Sequence, residues 1–292
     1  MPKVSALMPV YNSNLSYLKE TIESVLNQTF KDFEFLILND SPENVELENF
    51  ILEYAQKDER IKYFKNPRNL GISGSRNKLI DLAQGEFLAV IDHDDISVKE
   101  RFEKEVAFLE ANEEVGVVGG YYKDMANQKI STFPTQSADI KIALMSMCAI
   151  SHTSSMIRKS VLEHNVGGGG IYYNAFYSPC EDFKLWCDLI SVTEFANLPE
   201  VLVTYKTFDN TTQAQAIKMR ERHWAIVKAN SKEHPLIFEI AYTKSSKNII
   251  VTKNYTKDIV VLGIPLLRMI RNDETLRLKL FTKIQIFKIQ RV

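Results

Sequence analysis

This sequence predicts an α/β fold, a mostly parallel sheet flanked by helices. Three observations carry that expectation. Short, continuously apolar runs alternate with segments of helical periodicity from the N-terminus to about Asn112. Those runs read as strands buried on both faces rather than as half-exposed ones. One of them, Phe87-Leu-Ala-Val-Ile-Asp-His-Asp-Asp95, passes from five apolar residues straight into four polar ones. That pattern fits a central strand whose carboxyl tip carries Asp92, Asp94 and Asp95, where ligands of open α/β sheets bind.

Composition allows such a fold and narrows the rest. The 292 residues are 45% hydrophobic and 25% charged, enough for a sizeable core. A net charge of -1 gives no global basis for binding nucleic acid. Cys148, Cys180 and Cys187 form neither a CxxC pair nor a disulfide framework, which points to a reducing, cytoplasmic setting. The sequence shows no basic stretch leading into a signal-like apolar run, and no segment approaches the ~20 apolar residues that span a bilayer.

The elements follow in order. Val4 to Val10 reads as the first strand, and Tyr11-Asn12-Ser13-Asn14 as a turn with cap residues. Leu15, Leu18, Ile22, Val25 and Leu26 then keep helical spacing. Phe33 to Asp40 is the second strand, and Leu47, Phe50, Ile51 and Tyr54 mark the next helix. Ile61 to Phe64 is a short strand, Asn66 to Gly74 a turn-rich loop, and Ser75 to Ala83 a helix before the central strand. Val98, Phe102, Val106 and Leu109 give the helix after it. Farther on, strands are expected at 115–122, 151–158 and 201–207, and helices at 140–147 and 180–190. Gly167 to Gly170 reads as flexible loop. From Gln213 the expectation is mostly helical.

Three strand tips therefore carry polar side chains on one edge of the sheet: Tyr11-Asn12, Asp40 and Asp92-His93-Asp94-Asp95. The loop after the third strand adds Asn69, and Arg76 follows it. Clustered carboxylates call for a hard divalent cation, Mg²⁺ or Mn²⁺, which commonly brings substrate phosphates with it. An aromatic ring, a carboxylate and an arginine beside such a cluster suit a nucleoside diphosphate. Tyr11 would stack on the base, and Asp40 would accept from a base imide N–H, favouring uracil or thymine. Arg76 would lie near the pyrophosphate or the base-binding acid. Glu181-Asp182 stands at a predicted helix N-terminus, where a carboxylate stays ionised and a modest base.

The arrangement resembles the inverting nucleotide-sugar glycosyltransferases of family 2, which have the GT-A fold. Pro9-Val-Tyr-Asn12, Asn39-Asp40-Ser41, Asn69-Leu-Gly-Ile-Ser-Gly-Ser-Arg-Asn77, Asp92-His-Asp-Asp95, His152 to Arg158 and Glu181-Asp182-Phe-Lys-Leu-Trp186 match that family's motifs in order. The resemblance covers about residues 1–207. It implies a catalytic domain over 1–212, with a nucleotide-sugar half (1–112) and an acceptor half (113–212), followed by a helical extension over 213–292. It implies that Pro9, Tyr11, Asn12, Asp40, Asn69, Arg76, Asp92 and His93 hold a UDP-sugar, with Tyr11 and Asp40 on uracil. Asp94 would ligate Mn²⁺ or Mg²⁺ with help from Asp92, Asp182 would be the general base, and Glu181 and Trp186 would meet the acceptor. That acceptor would be a glycan or glycolipid of lipooligosaccharide or capsule type. A non-catalytic sugar-binding module and a sugar nucleotidyltransferase are the alternatives, although Pro9-Val-Tyr-Asn12 is not a Gly-rich phosphate loop. One departure stands out: Phe208 occupies the place of a family histidine, leaving Lys206 to offer charge to the phosphates.

The tail has its own pattern. From Pro265 to Val292 seven basic residues face Asp273 and Glu274, so this stretch is +5 and the rest of the chain about -6. Leu276, Leu280, Ile284 and Phe287 keep helical spacing and suggest a basic amphipathic helix. Such a helix would lie on the anionic inner face of the cytoplasmic membrane, or dock on the catalytic domain or on a second copy of the chain.

Overall fold

The computed structural model describes residues 1–165, 172–206 and 212–246, and the backbone of strands between 258 and 290. In chain order the elements are β1 (Val4–Val10), α1 (Leu15–Leu26), β2 (Phe33–Asn39), α2 (Val45–Lys57), β3 (Ile61–Lys65), α3 (Gly71–Leu82) and β4 (Phe87–Val90). Then come β5 (Ile96–Ser97), α4 (Arg101–Ala111), β6 (Val115–Asp124), β7 (Ile130–Ser131), α5 (Ser137–Ala143), β8 (Met156–Arg158) and α6 (Lys159–Asn165). The chain continues with α7 (Glu181–Asp188), β9 (Glu194–Tyr205), α8 (Gln213–Glu233) and α9 (Pro235–Ser246).

β1 to β9 form one sheet with strand order β3-β2-β1-β4-β8-β6-β9-β5, and β7 beside β6. β3, β2, β1 and β4 are mutually parallel, β8 runs antiparallel between β4 and β6, and β9 is parallel to β6. β1, β2 and β4 are buried at every residue, which is why their sequences are apolar without alternation. Successive side chains feed opposite faces. Leu7, Leu36, Leu38 and Leu88 join Leu79, Ile80 and Trp186 on one side; Ala6, Met8, Phe35 and Phe87 join Ile22, Phe102 and Val106 on the other.

The elements up to α4 fall where the periodicity places them, with one informative shift. α3 begins at Gly71, four residues before the expected start at Ser75, so its first turn lies inside the turn-rich loop. The cap explains this. Leu70 N and Gly71 N donate at 2.8 and 2.9 Å to the Asp40 carboxylate at the tip of β2, thirty residues away. Gly71 takes φ +71°, a left-handed conformation that favours glycine. Two of the three cap bonds are non-local, and the local one, Asn69 Oδ1 accepting from Gly71 N, reads in sequence only as a turn.

Other expectations need correction. The strand expected over 151–158 is a 3-10 turn (His152–Ser154) followed by the short β8. Ser151 O and His152 O accept hydrogen bonds from Ser154 N and Ser155 N, so this backbone turns before it pairs. The last strand, expected at 201, starts at Glu194. The helical extension holds for α8 and α9, but the basic amphipathic helix does not. The tail is an antiparallel sheet of β10 (Asp258–Val261), β11 (Ile264–Asn272), β12 (Thr275–Leu280) and β13 (Gln285–Gln290). Leu276-Arg-Leu-Lys-Leu280 alternates with period two, a strand pattern that competes with the helical one. Gly167 to Gly170 and Phe208 lie outside the described residues. No described helix is long and apolar enough to cross a membrane.

An ion pair without water contact braces the tip of β4. Arg101 and Glu105, one turn apart on α4, are both fully buried and meet at 3.1 Å. Arg101 also donates to Val90 O (3.0 Å), Ser155 O (3.1 Å) and Ser97 Oγ (3.1 Å). Burial pushes the Glu105 carboxyl up to about 7 even against the pull of Arg101. Removing the cation strands the acid and takes a donor from Val90 O and Ser155 O, the latter keeping Val90 N. Arg101→Met is expected to cost about 3–5 kcal/mol, read from the urea unfolding midpoint. A loss below about 1 kcal/mol would show that the pair does not brace the strand.

Candidate active site

The strand order puts the tips of β2, β1 and β4 side by side, so the three expected groups share one edge. After β1 the chain turns through Asn12 at φ +45°, and Asn12 N donates to Ser41 Oγ at 2.7 Å. Tyr11 is left 52% exposed at the rim. A cleft of about 270 Å³ opens there, lined by Pro9, Tyr11, Asp40, Asn69, Ser75 and His93 among others. Five of the residues expected to hold a nucleotide thus meet in one place. Asp40 is buried and carries three donors: Asn66 Nδ2 at 2.7 Å, Leu70 N and Gly71 N. Asn69 closes the same turn through Oδ1 to Gly71 N at 2.7 Å.

Arg76 stands at the other end of α3's first two turns and joins two elements far apart in sequence. Nη2 donates to Asp92 Oδ1 at 2.8 Å, and Nη1 to Glu181 Oε1 at 2.9 Å. The guanidinium lies 5.5 Å from the Tyr173 ring centroid. Next to it, Asn77 clamps the 172–173 backbone: Tyr173 N donates to Asn77 Oδ1 at 2.7 Å, and Asn77 Nδ2 donates to Tyr173 O at 3.0 Å. The Tyr173 hydroxyl pairs with His152 Nε2 at 2.9 Å. Burial, then the Arg76 charge, lowers His152 to about 3, so its imidazole is neutral and serves as a core hydrogen-bond partner. Sequence reasoning missed Tyr173, which follows the glycine run and has no periodic neighbour. Asn77 lies within a matched motif, but its clamp on the 172–173 backbone is non-local and leaves no spacing signal.

The acids separate by environment. Burial alone would raise Asp92, but the neighbouring Arg76 guanidinium holds it below the ordinary carboxylate value. Asp94 has no guanidinium partner; burial raises it against the opposing pull of His93, 3.9 Å away, and the Asp92 charge adds to the rise. Asp95 is pushed up to about 8 by burial and by Asp92, and it accepts from Lys206 N at 3.0 Å, tying the loop to the end of β9. Asp182, in the first turn of α7, is pushed up to about 6 by burial and then by the Glu181 charge.

Three assignments change. Trp186 is fully buried 5.9 Å from the His152 ring, so it offers no face to an acceptor. Glu181 is buried on Arg76 and anchors it rather than a sugar. Lys206 does not wait for phosphate: Nζ pairs with Glu20 at 2.7 Å and sits 4.2 Å from the Tyr17 ring centroid.

Among the described residues no group of three or more His, Cys, Asp or Glu side chains is arranged to hold a metal. Asp92 and Asp94 alone suit a cation completed by substrate phosphate and water, the usual way Mg²⁺ is held. A bound cation would offset the burial and the Asp92 charge that raise the Asp94 carboxyl.

The family profile described as glycosyl transferase family 2 matches residues 5–166. The chain belongs to that family. An uncharacterised glycosyltransferase of Methanocaldococcus jannaschii is 33% identical over 226 residues, 75% of this chain and 76% of its own. Among solved structures, S. aureus TarS 1-349 in complex with UDP superposes with a TM-score of 0.59 at 20% identity, over 78% of this chain and 74% of its own. The mannosyltransferase PcManGT from Pyrobaculum calidifontis, in complex with GDP-Man and Mn²⁺, gives 0.61 at 15% identity, over 82% and 69%. The glycosyltransferase thus has the GT-A architecture, and the cleft lies at its carboxyl edge.

The cap on α3 can be tested directly in the glycosyltransferase. Asp40→Ala removes the acceptor for Leu70 N and leaves Gly71 N on Asn69 Oδ1 alone. Hydrogen exchange at the Leu70 amide should speed up on the order of tenfold, matching a cap worth about 1–2 kcal/mol, while β1 amides keep their protection. Unchanged exchange at Leu70 would contradict the capping role.

Proposed function

We propose that the protein is an inverting transferase that moves a hexose or N-acetylhexosamine from a UDP-sugar to a glycan hydroxyl in surface-polysaccharide synthesis, such as that of lipopolysaccharide or capsule. The single observation that carries this reading is the Arg76 bridge, which couples an acid tip at β4 to the helix bearing Asp182. Leaving-group chemistry then sits on one element and proton removal on another, next to each other. The UDP-bound and UDP-GlcNAc-bound neighbours support the donor class by analogy of fold alone.

In this reading Tyr11 packs on the uracil, and Asp40 spends its remaining lone pair on the imide N–H. Pro9, Asn12, Asn69 and His93 complete the nucleotide cleft. Asp94, aided by Asp92, would hold Mn²⁺ or Mg²⁺, which when bound offsets charge on the departing diphosphate. Arg76 keeps Asp92 ionised and fixed. Asp182 takes the proton of the acceptor hydroxyl as the new C1–O bond forms. The old C1–O bond breaks with its electron pair leaving on UDP, and attack from the opposite face gives a β-linked product from an α-linked donor. A base raised to about 6 is ionised at pH 7 yet stronger than an ordinary carboxylate.

Asp182→Asn should keep UDP-sugar affinity and lose turnover by about 10²–10⁴-fold in a UDP-release assay. In the parent, kcat/KM should fall as pH drops through about 6, because the base must be ionised; a profile flat from pH 7 down to 5 would assign the base elsewhere. Chelator should abolish transfer and Mn²⁺ restore it, whereas full activity in chelator would remove the metal from the account.

A further inference from the structure

Among the described residues no side chain covers the first half of α8. Residues 213–221 are all exposed, including Ile217 and Met219 at 53% and 44%. Over its length α8 carries Lys218, Arg220, Arg222, Lys228 and Lys232 against Glu221 and Glu233, a net +3. Apolar and cationic side chains left together on an exposed helix mark a surface that something else covers.

Its position says what that is. The Cys180 thiol donates to Met219 O at 3.5 Å, and the His223 ring stacks on Phe183 at 5.2 Å. Cys180 and Phe183 flank Glu181-Asp182, so α8 lies against the first turn of α7. On the same side the 3-10 turn Ala175–Tyr177 is tied to α7 by Cys180 N donating to Tyr177 O at 2.8 Å. That turn leaves Phe176 59% exposed, with the Arg222 guanidinium 4.1 Å from its ring centroid. Lys184 and Arg76, the neighbouring cations, are paired with carboxylates. Among the described residues Lys218 and Arg222 have no acidic partner, and Arg222 Nε is buried without any acceptor. The two stand four apart and share a helix face. A guanidinium held over an aromatic ring and without a carboxylate partner suits an oxyanion met through its Nη groups, and an exposed aromatic ring beside it suits the apolar face of a sugar.

We propose that Phe176, Arg222 and Lys218 form the acceptor-docking face, and that the acceptor is a glycan carrying phosphate. Phe176 stacks on a sugar ring, Arg222 and Lys218 take the phosphate, and the chain is led toward Asp182. This deepens the proposed glycosyl transfer and rests on it.

The test is calorimetry on the full chain loaded with UDP and Mn²⁺. The probes are a phosphorylated mannose oligosaccharide and the same oligosaccharide after phosphatase treatment. The phosphorylated form should bind on the order of tenfold tighter, and Arg222→Gln should erase the difference. Arg222→Lys should restore part of it. Phe176→Ala, a change at an exposed side chain, should weaken both forms. Equal affinity for the two forms, or a preference that survives Arg222→Gln, overturns the inference. So does binding to phosphatidylglycerol vesicles that the oligosaccharide fails to displace, because the face then belongs to a membrane. A protein that binds no UDP fails the glycosyl-transfer reading itself, and the inference with it; one that binds UDP but treats both oligosaccharides alike fails only the inference.

Discussion

The site depends on one buried guanidinium. Arg76 reaches Asp92 just beyond β4 and Glu181 on α7, separated by almost ninety residues of chain, and satisfies one oxygen of each. Without that charge the buried Glu181 and the partly buried Asp92 would face each other as unpaired acids, which is costly. With it, the donor edge of the sheet and the helix bearing Asp182 are held in one geometry. A rigid planar fork fixes the directions in which the two acids are met, which a single ammonium on a flexible stem does not.

The same charge distributes the acidity of its neighbours. Asp92, in contact with Arg76, is lowered; Asp94, Asp95 and Asp182, without direct contact, are raised. One cation among several acids therefore separates an acid that stays ionised from a carboxylate poised near neutrality, a division of labour common to acid–base sites. The scaffolding beneath repeats the device. Arg101 spans Val90 O, Ser155 O and Glu105, so the strand that delivers Asp92 is itself held from below by a buried arginine.

Much of this was legible in the sequence, for physical reasons. β1, β2 and β4 are buried on both faces, and continuous apolar runs ending in polar residues announce them. The nucleotide cleft was legible because parallel neighbours place their tips together: Pro9, Tyr11, Asp40, Asn69 and His93 do line one cleft. What stayed hidden was non-local. The start of α3 depends on a carboxylate thirty residues earlier. Arg76 was expected beside phosphate or the base-binding acid, but its partners, Asp92 and Glu181, are set by tertiary packing. Trp186 and Glu181 sit on the same short helix as Asp182, yet helical spacing alone does not tell the face that meets an acceptor from the face that meets the core. In the tail, apolar residues fit periods of two and 3.6 together, and the strand reading prevailed.

The claim that Arg76 couples the two halves of the site is tested most directly by a double-mutant cycle on Arg76→Gln and Glu181→Gln, with unfolding free energies from urea titration. The account predicts that the two losses are not additive, with a coupling energy of about 1–3 kcal/mol. Losses that add to within about 0.3 kcal/mol would contradict it, because independent sites behave that way.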